Sequence, residues 1–169
     1  MTELLNGFSA ISNGHARVLI LGSMPGKRSL QLQQYYAHPR NLFWPIMADL
    51  LEFPESLEYD QRTEQLIKKR IALWDVLQNC ERESSLDSDI KSHTIKPNDF
   101  RQFFNAHGAI RAILFNGKKS EEIFNRHVKQ TLDNSFNPDY LAMPSTSPAN
   151  AAISKKEKIR RWSVLLNYL

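Results

Sequence analysis

Ala16-Arg17-Val18-Leu19-Ile20-Leu21-Gly22-Ser23-Met24-Pro25-Gly26 reads as a buried strand running straight into a turn shaped by glycine and proline. An unbroken apolar run from Val18 to Leu21 suits a strand covered on both faces, as in a parallel sheet. In an open α/β sheet, ligands bind where the carboxyl ends of the strands face a crevice between crossover helices. The next stretch, Gln34-Tyr35-Tyr36-Ala37-His38-Pro39-Arg40-Asn41-Leu42-Phe43-Trp44, sets aromatics, a His and an amide close behind that turn. Such a mixture suits holding a planar ring better than filling a hydrophobic core.

Outward from this unit, three more short apolar runs end in Gly, Asn or Pro: Ile71–Leu77, Ala109–Phe115 and Tyr140–Met143. Helical patterns fall between the strands. Asn41–Leu51 repeats Leu42, Ile46 and Leu50 on one face, and Asp60–Lys69, Asn98–His107 and Lys118–Gln130 follow. The last helix opens on Ser154-Lys155-Lys156-Glu157, a capping-box pattern, and buries Ile159, Trp162, Leu165 and Leu166. This alternation predicts one three-layer α/β/α domain over residues 1–169, with a mainly parallel four-stranded central sheet.

The four strand ends then lie along one edge. They carry Gly22–Gly26, Gln78-Asn79-Cys80, Asn116-Gly117 and Pro144-Ser145-Thr146-Ser147-Pro148-Ala149-Asn150. The polar stretch Glu81–Ser92 reads as a long connection on the same rim. Turns are polar in any fold; the density of amides, hydroxyls and neighbouring aromatics is what marks this edge as a site.

Composition narrows the chemistry. A hydrophobic share of 41% and a charged share of 24% are ordinary for a soluble globular protein. No apolar run approaches the roughly 18 residues of a membrane span, and no secretory signal is visible at the amino terminus. A lone Cys80 excludes an internal disulfide and a cysteine-ligated metal site, and a cytoplasmic location is expected. The five histidines lack metal-ligand spacing, so neither a metal nor a cofactor is expected. Net charge is +4, compatible with a nucleic-acid partner without specifying one. Lys155, Lys156, Lys158, Arg160 and Arg161 crowd one segment, which by itself reads equally as a solvated helix face. A phosphate-binding P-loop is excluded because only three residues separate Gly22 from Gly26, and G-x-S-x-G is absent.

Taken in order, Gly22-Ser23-Met24-Pro25-Gly26, Tyr35–Trp44, Phe115-Asn116-Gly117 and Pro144–Asn150 resemble the motifs of the uracil-DNA glycosylase superfamily, most closely its hypoxanthine (deoxyinosine) branch. The resemblance covers nearly the whole chain. It implies a monomeric enzyme that hydrolyses the N-glycosidic bond of a deaminated base, hypoxanthine ahead of uracil or xanthine, in double-stranded DNA, with single-stranded DNA a further substrate to consider. It implies that Asn41 orients the attacking water or contacts the leaving base; a helix-capping role for Asn41 stands beside it. Tyr36 falls where a base-stacking aromatic is expected, Asn116 where an amide reads the base, and the backbone amides of Ser23 and Met24 face the base oxygen. Core packing for Tyr36 and a plain Asn-Gly turn for Asn116 are the alternatives. Ser145, Thr146 and Ser147 would grip phosphates, Pro148, Ala149 and Asn150 would form the wedge, and Lys155 and Lys156 would meet the DNA backbone.

The chain departs from the motifs at two places. Met24 replaces the Asp or Asn of other branches, and Met143 replaces a His. No motif-matched lysine nucleophile is present, which implies a monofunctional enzyme. Two other readings stay open: a catalytically silent nucleic-acid-binding module on the same scaffold, and an α/β enzyme that uses the crevice for a free nucleotide.

Overall fold

In the computed structural model, which describes residues 2–169, all four expected strands join one sheet. Strand β1 (Leu4–Asn6) belongs to a smaller sheet; the central one contains β2 (Val18–Gly22), β3 (Ile71–Asp75), β6 (Ala112–Asn116) and β7 (Asp139–Met143). Their order is β3-β2-β6-β7 and every pairing is parallel. Side chains alternate between two cores. Leu19, Leu21, Ile113 and Phe115 point to one face, where α4 (Phe100–Ala106) and α5 (Lys118–His127) cover them. Val18, Ile20, Leu73 and Leu114 point to the other, under α2 (Phe43–Leu51), α3 (Tyr59–Lys68) and α6 (Lys155–Trp162). The result is the expected three-layer α/β/α architecture, and Trp44 and Trp162 are both buried in the second core.

Several boundaries differ for identifiable reasons. The run Ile71–Leu77 is not one strand: the chain bends at Val76 and continues as β4 (Leu77–Glu81), which pairs antiparallel with β1 and with β5 (Lys96–Pro97). Backbone bonds from Val76 N–H to Gly22 O at 2.8 Å and from Leu77 N–H to Ser23 O at 3.1 Å hold the bend against the glycine turn. Gln78, Asn79 and Cys80 therefore lie in this second sheet, away from the cleft edge, and Cys80 is buried in the first core. Asp75 takes their place as the end of the parallel strand. A short helix, α1 (Lys27–Leu32), follows the glycine turn and had no clear apolar period. The Ser154 hydroxyl does accept from Glu157 N–H at the start of α6, but the Glu157 carboxylate turns to Arg160 and Arg161, so only half the capping box forms. Among the described residues no helix is long and apolar enough to cross a membrane.

Candidate active site

The parallel register sets Gly22 opposite Asp75 and Asn116 opposite Met143. The ends of the four strands thus converge on a cleft of about 440 Å³, within the roughly 300–1,000 Å³ usual for small-ligand sites. Tyr35, Tyr36, His38 and Asn41 wall one side. Ser85 to Ser88, from the polar connection after β4, wall another.

The glycine turn is held from behind. Arg82 is buried and donates to Pro25 O at 2.5 Å and to Met24 O at 3.5 Å. The Met24 side chain packs into the first core, so only its backbone is left to serve the cleft. Ser23 is buried and its hydroxyl donates to Asp87 Oδ1 at 2.5 Å. Among the described residues neither Ser23 N–H nor Met24 N–H donates to a protein acceptor. Free donors beside a cleft are suited to an oxygen that gains negative charge.

The Tyr36 ring stacks on Phe43, with centroids 4.2 Å apart, and its backbone takes a left-handed φ of 54°. Bulky residues rarely adopt that region, and such strain gathers at functional sites. The Asn41 side-chain oxygen accepts from Phe43 N–H at 2.9 Å at the entrance to α2. Asn41 is not the cap of α2, a position that Leu42 holds; its amide oxygen is pinned by the first helical N–H while the residue lines the cleft.

Asn116 joins the third and fourth motifs. Its Oδ1 accepts from Thr146 N–H at 2.9 Å and its Nδ2 donates to Thr146 Oγ1 at 3.0 Å. Thr146 has no exposed surface, and its carbonyl accepts from Leu42 N–H, which ties the loop to the Asn41 segment. Asn150 donates through Nδ2 to Ser145 O, and buried Lys158 donates through Nζ to Asn150 O at 2.7 Å. The loop from Ser145 to Asn150 is consequently fixed at both ends.

Two carboxyl groups sit in the cleft. Burial, followed by the nearby Asp87 charge and opposed by Arg82, pushes the Asp75 carboxyl up to about 7. Burial also raises the Asp87 carboxyl, against the hydrogen bond from Ser23 and the positive charges of Arg82 and Lys119. Burial keeps the Tyr36 hydroxyl protonated, reinforced by Asp75.

The family model of the Uracil DNA glycosylase superfamily matches residues 8–166. The chain belongs to the uracil DNA glycosylase superfamily. Within it, the chain is 32% identical over 163 residues to a protein of Methanosarcina acetivorans named Hypoxanthine DNA glycosylase, covering 96% of this chain and 98% of that one. A protein of the same name from Methanosarcina barkeri is 38% identical over 117 residues, covering 69% of this chain and 73% of the relative. A solution NMR structure of a Methanosarcina acetivorans protein carrying the uracil DNA glycosylase name superposes with a TM-score of 0.79, at 31% identity and 96% coverage of both chains.

Of the residues that the superfamily motifs single out, Ser23, Met24, Tyr36, Asn41, Asn116 and Ser145 to Asn150 all meet at this one cleft. Lys155 and Lys156 do not line it; they are exposed at the start of α6, where Lys155 pairs with Glu55 at 3.8 Å. Sequence reasoning passed over Asp75, Arg82 and Asp87. Asp75 had a visible signal, a lone carboxylate in the apolar run Ile71–Leu77. Arg82 and Asp87 fall within the Glu81–Ser92 connection expected on the same rim, where Ser85 to Ser88 do line the cleft, but nothing in that stretch singled the two out; the bend at Val76 brings them over the turn.

Proposed function

We propose that this chain is a monofunctional DNA glycosylase that removes deaminated bases, hypoxanthine above uracil or xanthine, by hydrolysing the N-glycosidic bond. The observation that carries this reading is the meeting, in one cleft, of a pinned Asn41 with the free N–H groups of the Ser23–Met24 turn. The name shared by the two Methanosarcina relatives supports hypoxanthine as the target.

The base must first leave the stack. Pro148, Ala149 and Asn150 then act as the wedge, and Ser145 and Ser147 hold the flanking phosphates, with Thr146 as their buried anchor. Once flipped, the base lies against the Tyr36 ring, and the Ser23 and Met24 N–H groups meet its oxygen as charge builds there. The Asn116 amide, already committed to Thr146 through both ends, has one N–H and one lone pair left for the base edge. Asn41 holds the attacking water near the sugar carbon; an amide is no base at neutral pH, so its contribution is positional. Lys155 and Lys156 reach the DNA backbone beyond the cleft. The protein acts as a monomer on double-stranded DNA in the cytoplasm.

Duplexes carrying one hypoxanthine, uracil or xanthine, incubated with the protein and then treated with alkali, test the reading. Strand cleavage at hypoxanthine ahead of the other two is the expected result. DNA binding without an abasic product on any of the three would leave only a binding module. Asn41→Ala should lower the single-turnover rate by about 10²-fold with little change in DNA affinity, because misplacing a reactant costs on that order. Equal losses in rate and affinity would make Asn41 a binding residue.

A further inference from the structure

One buried polar atom at the cleft floor, Asp75 Oδ2, has no partner among the described residues, and the Tyr36 hydroxyl beside it has only the Asn116 amide to draw on. An unpaired buried group is destabilising, and native folds keep few of them. Both belong to residues that line the cleft, and both crowd Gly22. A Cβ on Gly22 would lie 2.3 Å from Asp75 Oδ1 and 2.9 Å from the Tyr36 hydroxyl. The glycine thus makes room for the Asp75 carboxyl and the Tyr36 hydroxyl to converge, with Tyr36 itself held in a strained left-handed backbone conformation. That cost persists only if something else pairs them, and the cleft is where a ligand enters.

Asp75 is surrounded by few charges. Asp87 and Arg82 face it from the segment after β4, Tyr35 and Tyr36 from the segment before α2, and Tyr59 from the start of α3. Burial and Asp87 outweigh Arg82, so the carboxyl keeps its proton up to about pH 7. A carboxyl with a proton at neutral pH is suited to general acid catalysis.

We infer that Asp75 is the general acid of the reaction, giving its proton to a ring nitrogen of a flipped purine as the glycosidic bond breaks. This rests on the glycosylase reading and deepens it. The electron pair of the C1′–N9 bond goes to the purine, and the Asp75 proton goes to N7 or N3, so the base leaves neutral. Water adds its oxygen to C1′ and releases a proton to solvent, from which Asp75 is recharged; one water is consumed and an abasic sugar is formed. Uracil joined to deoxyribose has no ring nitrogen with a free lone pair, so this acid distinguishes purines from pyrimidines.

The test compares wild type with Asp75→Asn in single-turnover excision of hypoxanthine, 7-deazahypoxanthine and 3-deazahypoxanthine from duplex DNA across a pH series, with thermal melts to confirm folding. The wild-type rate on hypoxanthine should fall as pH rises past about 7. Asp75→Asn should lose that limb and run about 10²–10⁴-fold slower, the usual worth of general acid catalysis. The deaza analogue that lacks the accepting nitrogen should lose a similar factor in wild type and little more in Asp75→Asn. A variant with the wild-type rate and pH profile overturns the inference, as do losses that multiply on both analogues. Wild type inactive on every substrate would instead defeat the glycosylase reading itself.

Discussion

Asp75 couples the chemistry of the cleft to the stability of the fold. Its folded-state value of about 7 lies above the ordinary 3.8 of an unfolded aspartate. Between those two values the unfolded chain has released a proton that the native state retains, so stability falls as pH rises across that window and levels off above it. Asp87 is raised as well and adds in the same direction. Asp75→Asn should therefore be more stable than wild type at neutral pH, with a shallower loss of stability between about pH 4 and pH 7, as expected when a destabilised active-site group is removed. Denaturant melts across that range check this; an unchanged slope would mean that the carboxyl is ionised in the fold. A buried carboxyl with an unpaired oxygen has no place in a core that serves packing alone.

At the scale of elements, loops near the cleft are held by polar ties from the secondary structure behind them. Arg82 holds the glycine turn from the loop after β4, Asn116 at the end of β6 clamps Thr146, and Lys158 from α6 clamps Asn150. Lys158 is nearly all buried, and burial draws its pKa down, a cost that its bond to Asn150 O offsets. Lys158→Met keeps much of the volume and removes the donor, leaving a carbonyl without its partner. It should lose about 1–3 kcal/mol of stability and weaken DNA binding, while the single-turnover rate at saturating DNA changes less. Denaturant melts and fluorescence anisotropy would show this. A variant with wild-type DNA affinity would mean that the loop is set without Lys158.

Across the whole molecule, the parallel sheet carries the site and α6 carries a basic flank outside it. Lys155 and Lys156 are exposed, and the Lys155–Glu55 pair, open to solvent on both sides, is worth little by itself. Replacing both lysines by Ala should leave the fold intact and weaken binding to all DNA sequences alike. The slope of log affinity against log salt should drop by about 0.9 for each lysine that meets a phosphate. An unchanged slope in a titration series would take α6 out of the DNA-facing surface.

The parallel sheet and the strand ends that bear Ser23, Asn116 and Ser145 were written in the order of residues alone. Unbroken apolar runs such as Val18–Leu21 and Ile113–Phe115 are too short for a buried helix and end in Gly or Asn, so a strand covered on both faces, which buries every side chain in succession, accounts for them. Apart from α1, the helices were legible, with ends displaced by one to three residues; the last helix stops at Trp162, so Leu166, expected to be buried, lies beyond it and is exposed. Tertiary structure alone decided what happens after Asp75. Val76 and Leu77 are as apolar as the strand before them, and the bend comes from backbone bonds to Gly22 and Ser23, which lie more than fifty residues away in the chain. That bend brings Arg82 and Asp87 over the turn and strands the Asp75 carboxyl at the cleft floor. No local pattern encodes such a contact, because its energy exists only once both segments are packed.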